Sequence, residues 1–224
     1  MTGFGFVVIA LALASLWLPV GVLVPVLATL SALLSASIVF KNRHQVNWAV
    51  LLKRIAPFML VGMVAGYYAA KLLSPEHLRP MLGALVVMVA SRELLRLNRI
   101  TVVQSGETQS KLVNAWLLLS GVVHGLLAIG GTVLVIAVAS MPLSKSEMRT
   151  TLASVWVLLN AVLIVVFTLD ARMAAAMPTV AWMLPALACG LWLGEYAHRA
   201  VDERRFRQAV FASLLLVGLL LVFG

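Results

Sequence analysis

With 224 residues, 62% of them hydrophobic and only 11% charged, and a mean hydropathy of +1.05, the chain lies far outside soluble composition, where roughly a quarter of residues are charged. It is an integral membrane protein: at about 20 apolar residues per span it holds roughly seven to nine spans and no sizeable soluble domain. The net charge of +9 follows from Lys and Arg gathered in cytoplasmic loops rather than from nucleic-acid binding, and the single cysteine, Cys189, excludes an intrachain disulfide or a cysteine metal cluster.

In chain order, Met1-Thr2-Gly3 leads straight into apolar sequence without the basic region and cleavage site of a signal peptide, so insertion is expected to rely on the spans themselves. Apolar runs at Phe4 to Leu18, Val20 to Phe40, Ile55 to Leu73 and Met81 to Leu95 are predicted helices. Pro19, Pro25, Pro57 and Pro185 mark kinks or helix ends. Residues 98–112 form a polar linker that divides the chain into a first transmembrane repeat, 1–97, and a second, 113–224. The second half offers Val113 to Ile129, Thr132 to Met141, Thr150 to Leu169, Val180 to Tyr196 and Phe206 to Phe223. Cys189 is expected to pack inside its helix, and Trp17, Trp48, Trp116, Trp182 and Trp192 suit interfacial belts or core packing.

A duplicated unit is legible when Gly62 to Leu82 is laid on Gly190 to Val210 without a gap. Gly62 then falls on Gly190, Gly66 on Gly194, Tyr68 on Tyr196 and Arg79 on Arg207, and the same offset sets Gly3 against Gly131. Lys41, Arg43, Lys53 and Arg54 put the second connection in the cytoplasm. Alternation from there favours an inverted second repeat, because a parallel one would export Arg199, Arg204, Arg205 and Arg207. Inversion requires Val113 to Ser144 to enter and leave on one face, as a hairpin broken near Gly130-Gly131. By the same offset the first repeat begins at its turn, Thr2-Gly3-Phe4-Gly5, without the preceding arm; either that repeat is truncated or the start lies upstream of Met1.

The glycine break carries the chemistry. Each glycine costs roughly 1 kcal/mol in a helix interior, and backbone freed within hydrocarbon must line a cavity or be buried in protein. Thr132 and the N–H groups after Gly130 and Gly131 open a helix whose positive end favours an anion. Gly121 and Gly125 extend the small face, and close helix packing explains such glycines equally well. His124 is an ionisable group at depth, either an anion or proton site or a neutral interhelical hydrogen-bonding residue. Ser144 and Glu147 have capping-box spacing. Arg149 either reaches an anion with its paired donors or snorkels to the interface. Asn160, three turns on, faces the substrate path or ties two helices together. Glu195 near His198 and Arg199 reads as an interfacial ion pair or a proton-coupling acid. No enzyme signature is present: the chain has no HExxH, no GxSxG and no phosphate-binding loop.

The block Ser120 to Asn160, SGVVHGLLAIGGTVLVIAVASMPLSKSEMRTTLASVWVLLN, resembles the second-repeat block of the TauE/SafE sulfite exporter family, and TGFGFVVIALA, Thr2 to Ala12, is similar to its first-repeat glycine motif. The resemblance implies a multi-pass inner-membrane permease for small sulfur anions such as sulfite or organosulfonates. It also implies a permeation site surrounded by Gly3, Gly5, Gly130, Gly131, Thr132, Arg149 and Asn160, to which the residue-level reading adds His124.

The expected molecule is therefore all-α, with about eight or nine membrane helices and half-helices in two inverted repeats, working by alternating access. It is not an enzyme and needs no cofactor or metal. Its partners are a small inorganic or organic anion, the lipid bilayer and protons as a coupling ion, with homo-oligomerisation left open. A carrier for another small anion or carboxylate is the alternative within transport, and a non-transporting membrane scaffold the alternative outside it.

Overall fold

A computed structural model describes residues 4–98, 110–138, 141, 143–197 and 203–223, and every regular element among them is helical. Helix α1 (Phe4–Ala14) stops short of the apolar run that ends at Leu18, since Ser15 Oγ takes the Ala12 carbonyl at 2.8 Å and Pro19 then starts α2 (Val20–Asn42). A 3-10 turn at Arg43–Gln45 leads to α3 (Trp48–Val50), capped by the Asn47 side chain. A π-turn at Leu51–Ile55 carries α3 into α4 (Ala56–Leu72), so this helix starts two turns before the predicted Ile55. Pro57 is the second residue after that π-turn, so the helix widens where the proline N–H is missing from the ladder.

Helix α5 (Pro75–Asn98) likewise extends the predicted Met81 to Leu95 toward its N-terminus. The rest of the molecule is α6 (Ser110–Leu127), α7 (Gly131–Val138), α8 (Lys145–Leu169), α9 (Arg172–Ala197) and α10 (Glu203–Phe223). Most of the polar linker lies between α5 and α6, outside the described residues. Among the described residues, Val20–Gln45, Trp48–Leu72, Ser146–Leu169 and Arg172–Gly190 are long and apolar enough to cross a membrane, and Lys111–Leu127 and Val210–Phe223 are shorter apolar helices.

The start of α8 is fixed by local chemistry. Ser144 Oγ accepts from Glu147 N at 3.2 Å while the Glu147 carboxylate accepts from Ser144 N at 2.9 Å, the reciprocal capping box that the spacing predicts. Ser144→Ala removes one half of that pair and is expected to cost about 1 kcal/mol. The corresponding fall in Tm is a few degrees at most. Thermal melts in detergent test it, with Ser144→Asp expected to restore the wild-type value.

Side-chain bridges between helix ends fix the direction of each element. The Gln45 side chain, just past the end of α2, accepts from Ser146 and Thr150 at the start of α8. At the opposite end, Arg172 Nη2, just past α8, donates to Gly21 O at 2.8 Å. Helices α2 and α8 are therefore antiparallel along their whole length. Lys71 Nζ at the end of α4 lies 3.0 Å from Asp170 Oδ1, and Tyr67 also donates to Asp170, so α4 and α8 finish at the same end.

Two glycine crossings hold the outer pairs. Along α4 and α6, a Cβ on Gly62 would strike the Leu118 carbonyl oxygen, one on Gly66 the Val122 carbonyl, one on Gly121 the Met59 carbonyl and one on Gly125 the Met63 carbonyl. The helices cross in parallel with backbones in direct contact, the small-xxx-small device of membrane packing. Gly121 and Gly125 thus serve packing, as the plainer of their two sequence readings has it. Gly83 of α5 and Gly218 of α10 make a second close crossing.

Helix α6 begins at the same end as α4, and the segment after α7 arrives beside Gln45, so Val113 to Ser144 leaves and returns at one end of the bundle. One expectation is corrected on α9. Cys189 is exposed rather than packed, because α9 buries little of its length against the rest of the chain. Trp182 is exposed on the same helix, as are Trp17 and Trp48 elsewhere, while Trp116 is half-buried; the Trp192 side chain lies outside the described residues.

Candidate functional site

The reversal between α6 and α7 is built from one strained alanine and one obligate glycine. The chain leaves α6 at Ala128, whose φ of +57° is left-handed and whose N–H still bonds His124 O at 2.7 Å. An L-residue there costs roughly 1 kcal/mol or more. The break therefore runs from Ala128 to Gly130, and Gly131 is the first residue of α7 rather than part of the unwound stretch. Gly130 is needed for proximity. A Cβ on it would run into the Ser120 carbonyl oxygen and come within 2.8 Å of His124 Cβ.

Ser120 Oγ closes the turn by donating to Gly130 O at 2.8 Å, and the same carbonyl accepts from Val133 N at 3.2 Å and Leu134 N at 3.0 Å. The chain has folded back so that the start of α7 lies level with Ser120 and His124. The first N–H groups of a helix have no partner within it, and Gly130, the residue before α7, packs against His124.

His124 has no exposed surface, and neither ring nitrogen has a hydrogen-bond partner. Its ring lies on that of Trp156 from α8, centroids 5.3 Å apart and planes inclined by 33°. Trp156 Nε1 is also buried without a partner. One turn further along α8, the Asn160 amide faces the imidazole as its hydrogen-bonding neighbour, short of the geometry of a formed bond. Its Nδ2 donates to Ser31 Oγ of α2 at 3.3 Å, and its Oδ1 is unsatisfied. Each such buried orphan costs about 1 to 3 kcal/mol, so three residues from two facing helices hold unspent hydrogen-bonding capacity at one place. Ser31 lies near the middle of α2 and Asn160 past the middle of α8, so this place is deep in the bundle.

The structure brings His124, Gly130, Gly131 and Asn160 together around this point. It does not bring Arg149, which is exposed in the first helical turns of α8, about 16 Å along the axis from Asn160. Gly5 lies in the first turn of α1, while Gly3 and the side chain of Thr132 are outside the described residues, as are those of Lys145, Glu195 and Arg199. Sequence reasoning passed over Trp156 and Ser31. Trp156 had a signal, since it precedes Asn160 by four residues on one helical face. Ser31 had none, because its partner is 129 residues away.

A bundle with several apolar helices of membrane-crossing length and a buried polar centre defines a multi-pass membrane protein. The model of the Sulfite exporter TauE/SafE family matches residues 1–221, and the chain belongs to that family of membrane transporters. No match to a curated protein or to a solved structure was found.

Proposed function

We propose that this protein carries a small sulfur oxyanion, sulfite or an organosulfonate, through a central site formed by His124, Trp156, Asn160, Ser31 and the start of α7. The observation that carries the reading is the pair of buried, unpartnered ring N–H groups of His124 and Trp156, beside the Asn160 amide. An oxyanion accepts several hydrogen bonds at once. Trp156 Nε1–H is donor-only, an imidazole supplies at least one N–H, and the helix start adds backbone donors with the positive dipole end. A bound sulfur oxyanion would accept from the Trp156 Nε1–H and from an imidazole N–H, two donors that have no partner within the protein, with the family membership as independent support.

The arrangement is consistent with two inverted repeats. Three pairs of elements that the duplication makes equivalent pack on one another, α1 with α7, α2 with α8 and α5 with α10, whereas α4 packs on α6 rather than on its equivalent α9. The α2 and α8 pair runs antiparallel, as inversion requires. In this scheme the Lys41 to Arg54 end is cytoplasmic, the Lys71 and Asp170 end faces outward, and transport exposes the site to each side in turn. His124 is the titratable group at the site and the place where a proton would couple to the anion.

Flux into proteoliposomes, comparing sulfite and ethanesulfonate with chloride and acetate, with and without a proton gradient, tests the proposal. Saturable flux that prefers the sulfur anions is expected. Equal flux of acetate would make the protein a carrier of small anions generally, and no flux from folded protein would return it to the scaffold alternative.

A further inference from the structure

A cavity of about 220 Å³ opens at the outward end of the bundle, where the ends of α2, α4, α6, α8 and α9 meet, with Gly21, Lys71, Gly125, Leu126, Phe167 and Arg172 among its lining residues. That volume holds about seven waters, or one small sulfonate with a few waters. Its charged lining groups are both cations. Arg172 lies over the Phe167 ring at 4.8 Å and Lys71 over the Tyr67 ring at 4.8 Å, so both are held by aromatic faces as well as by Gly21 O and Asp170. Asp170 is the counter-ion. Its two carboxylate oxygens bond Tyr67 and Lys71; Arg172 has no carboxylate within ion-pair distance among the described residues, and Asp170 acts on it only at longer range.

This cavity is also in line with the central site. Gly125 follows His124 directly in α6, and Phe167 is seven residues beyond Asn160 in α8, about 10 Å along the helix. We propose that the cavity is a second anion-binding site, an outer vestibule in which Lys71 and Arg172 hold a small sulfonate or sulfite ion before it enters, or after it leaves, the centre. Asp170 acts there as the resident anion: it holds Lys71 in an ion pair when the vestibule is empty, and an arriving oxyanion competes with it for that ammonium group. Field focusing between low-dielectric walls raises the local anion concentration. The inference rests on the transport reading for its purpose but not for its chemistry.

A labelling experiment separates the two. Ala70 lines the cavity, and Cys189 is the single cysteine, so Ala70→Cys in a Cys189→Ser background places one thiol in the vestibule. Purified protein in neutral detergent is reacted with methanethiosulfonate reagents bearing either a sulfonate or an ammonium group. Relative to a free thiol in the same buffer, the sulfonate reagent is expected to gain about tenfold over the ammonium one. Arg172→Gln should remove most of that preference, Asp170→Asn should enlarge it, and millimolar ethanesulfonate should slow the reaction. Asp170→Asn keeps the test decisive should Arg172→Gln fail to fold. A charge preference no different from that of the free thiol, or no labelling by either reagent, overturns the vestibule. Because labelling needs no transport, a protein with selective labelling but no sulfur-anion flux would lose the central reading alone.

Discussion

Gly62→Ala should prevent the protein from reaching its folded state, while Gly190→Ala, the substitution at the repeat-matched position, should leave stability unchanged or slightly raised. The single methyl group at position 62 would overlap the Leu118 carbonyl oxygen and lie 3.0 Å from Val122 N and 3.1 Å from Gly121 Cα. All of these are backbone atoms of α6, so no side chain can rotate away. Relief requires the whole α4 and α6 pair to separate, which also undoes the contacts of Gly66, Gly121 and Gly125. Overpacking in a flexible core costs about 1 to 3 kcal/mol. Here the neighbour is rigid, and a larger loss is expected. Position 190 offers no neighbour within 4 Å, and alanine is the better helix former by about 1 kcal/mol. Thermal stability of the two variants in detergent decides the matter. Equal behaviour would mean that α4 and α9, matched in sequence, are packed alike in the membrane, against the present structure.

That contrast also shows what kind of information the sequence holds. The capping box at Ser144 and Glu147 was readable because all its atoms come from four consecutive residues. The reversal after α6 was readable to within two residues, since the glycine pair signals a break. The pair does not say that Ala128 takes the left-handed conformation or that Gly130 is there to lie against Ser120. His124 and Asn160 stood out because an imidazole and an amide at membrane depth are expensive. Trp156 did not, because indole passes for an apolar core residue until its N–H is seen to lack a partner. The exposure of Arg149 was hidden for a related reason. Arg149 lies on nearly the same angular face as Asn160, yet the first turns of α8 project beyond the elements that bury the middle of the helix. Helical phase reports which side of a helix a residue is on, and burial depends on what is packed against that stretch. Distant pairings such as Asn160 with Ser31 and Lys71 with Asp170 arise from antiparallel and convergent helix ends, which no local periodicity encodes.

Trp156→Phe provides the sharpest test of the central site, because stability and transport should move in opposite directions. Phenylalanine keeps an aromatic face against the His124 ring, which now lies 5.3 Å from Trp156, and deletes the Nε1–H. That N–H is buried and has no partner within the protein, so its removal relieves a desolvation cost of about 1 to 3 kcal/mol. Loss of packing from the smaller ring offsets part of this gain, and the melting temperature should hold or rise. With an oxyanion bound, the same N–H becomes a hydrogen bond to a charged group, worth about 1.5 to 3 kcal/mol. Its loss should weaken sulfite affinity by about 10- to 150-fold, seen as a raised KM for flux. A structural tryptophan predicts the reverse pattern. There the variant would melt earlier and carry sulfite with unchanged KM, and the unpartnered atoms at the centre of the bundle would then have no part in binding the anion.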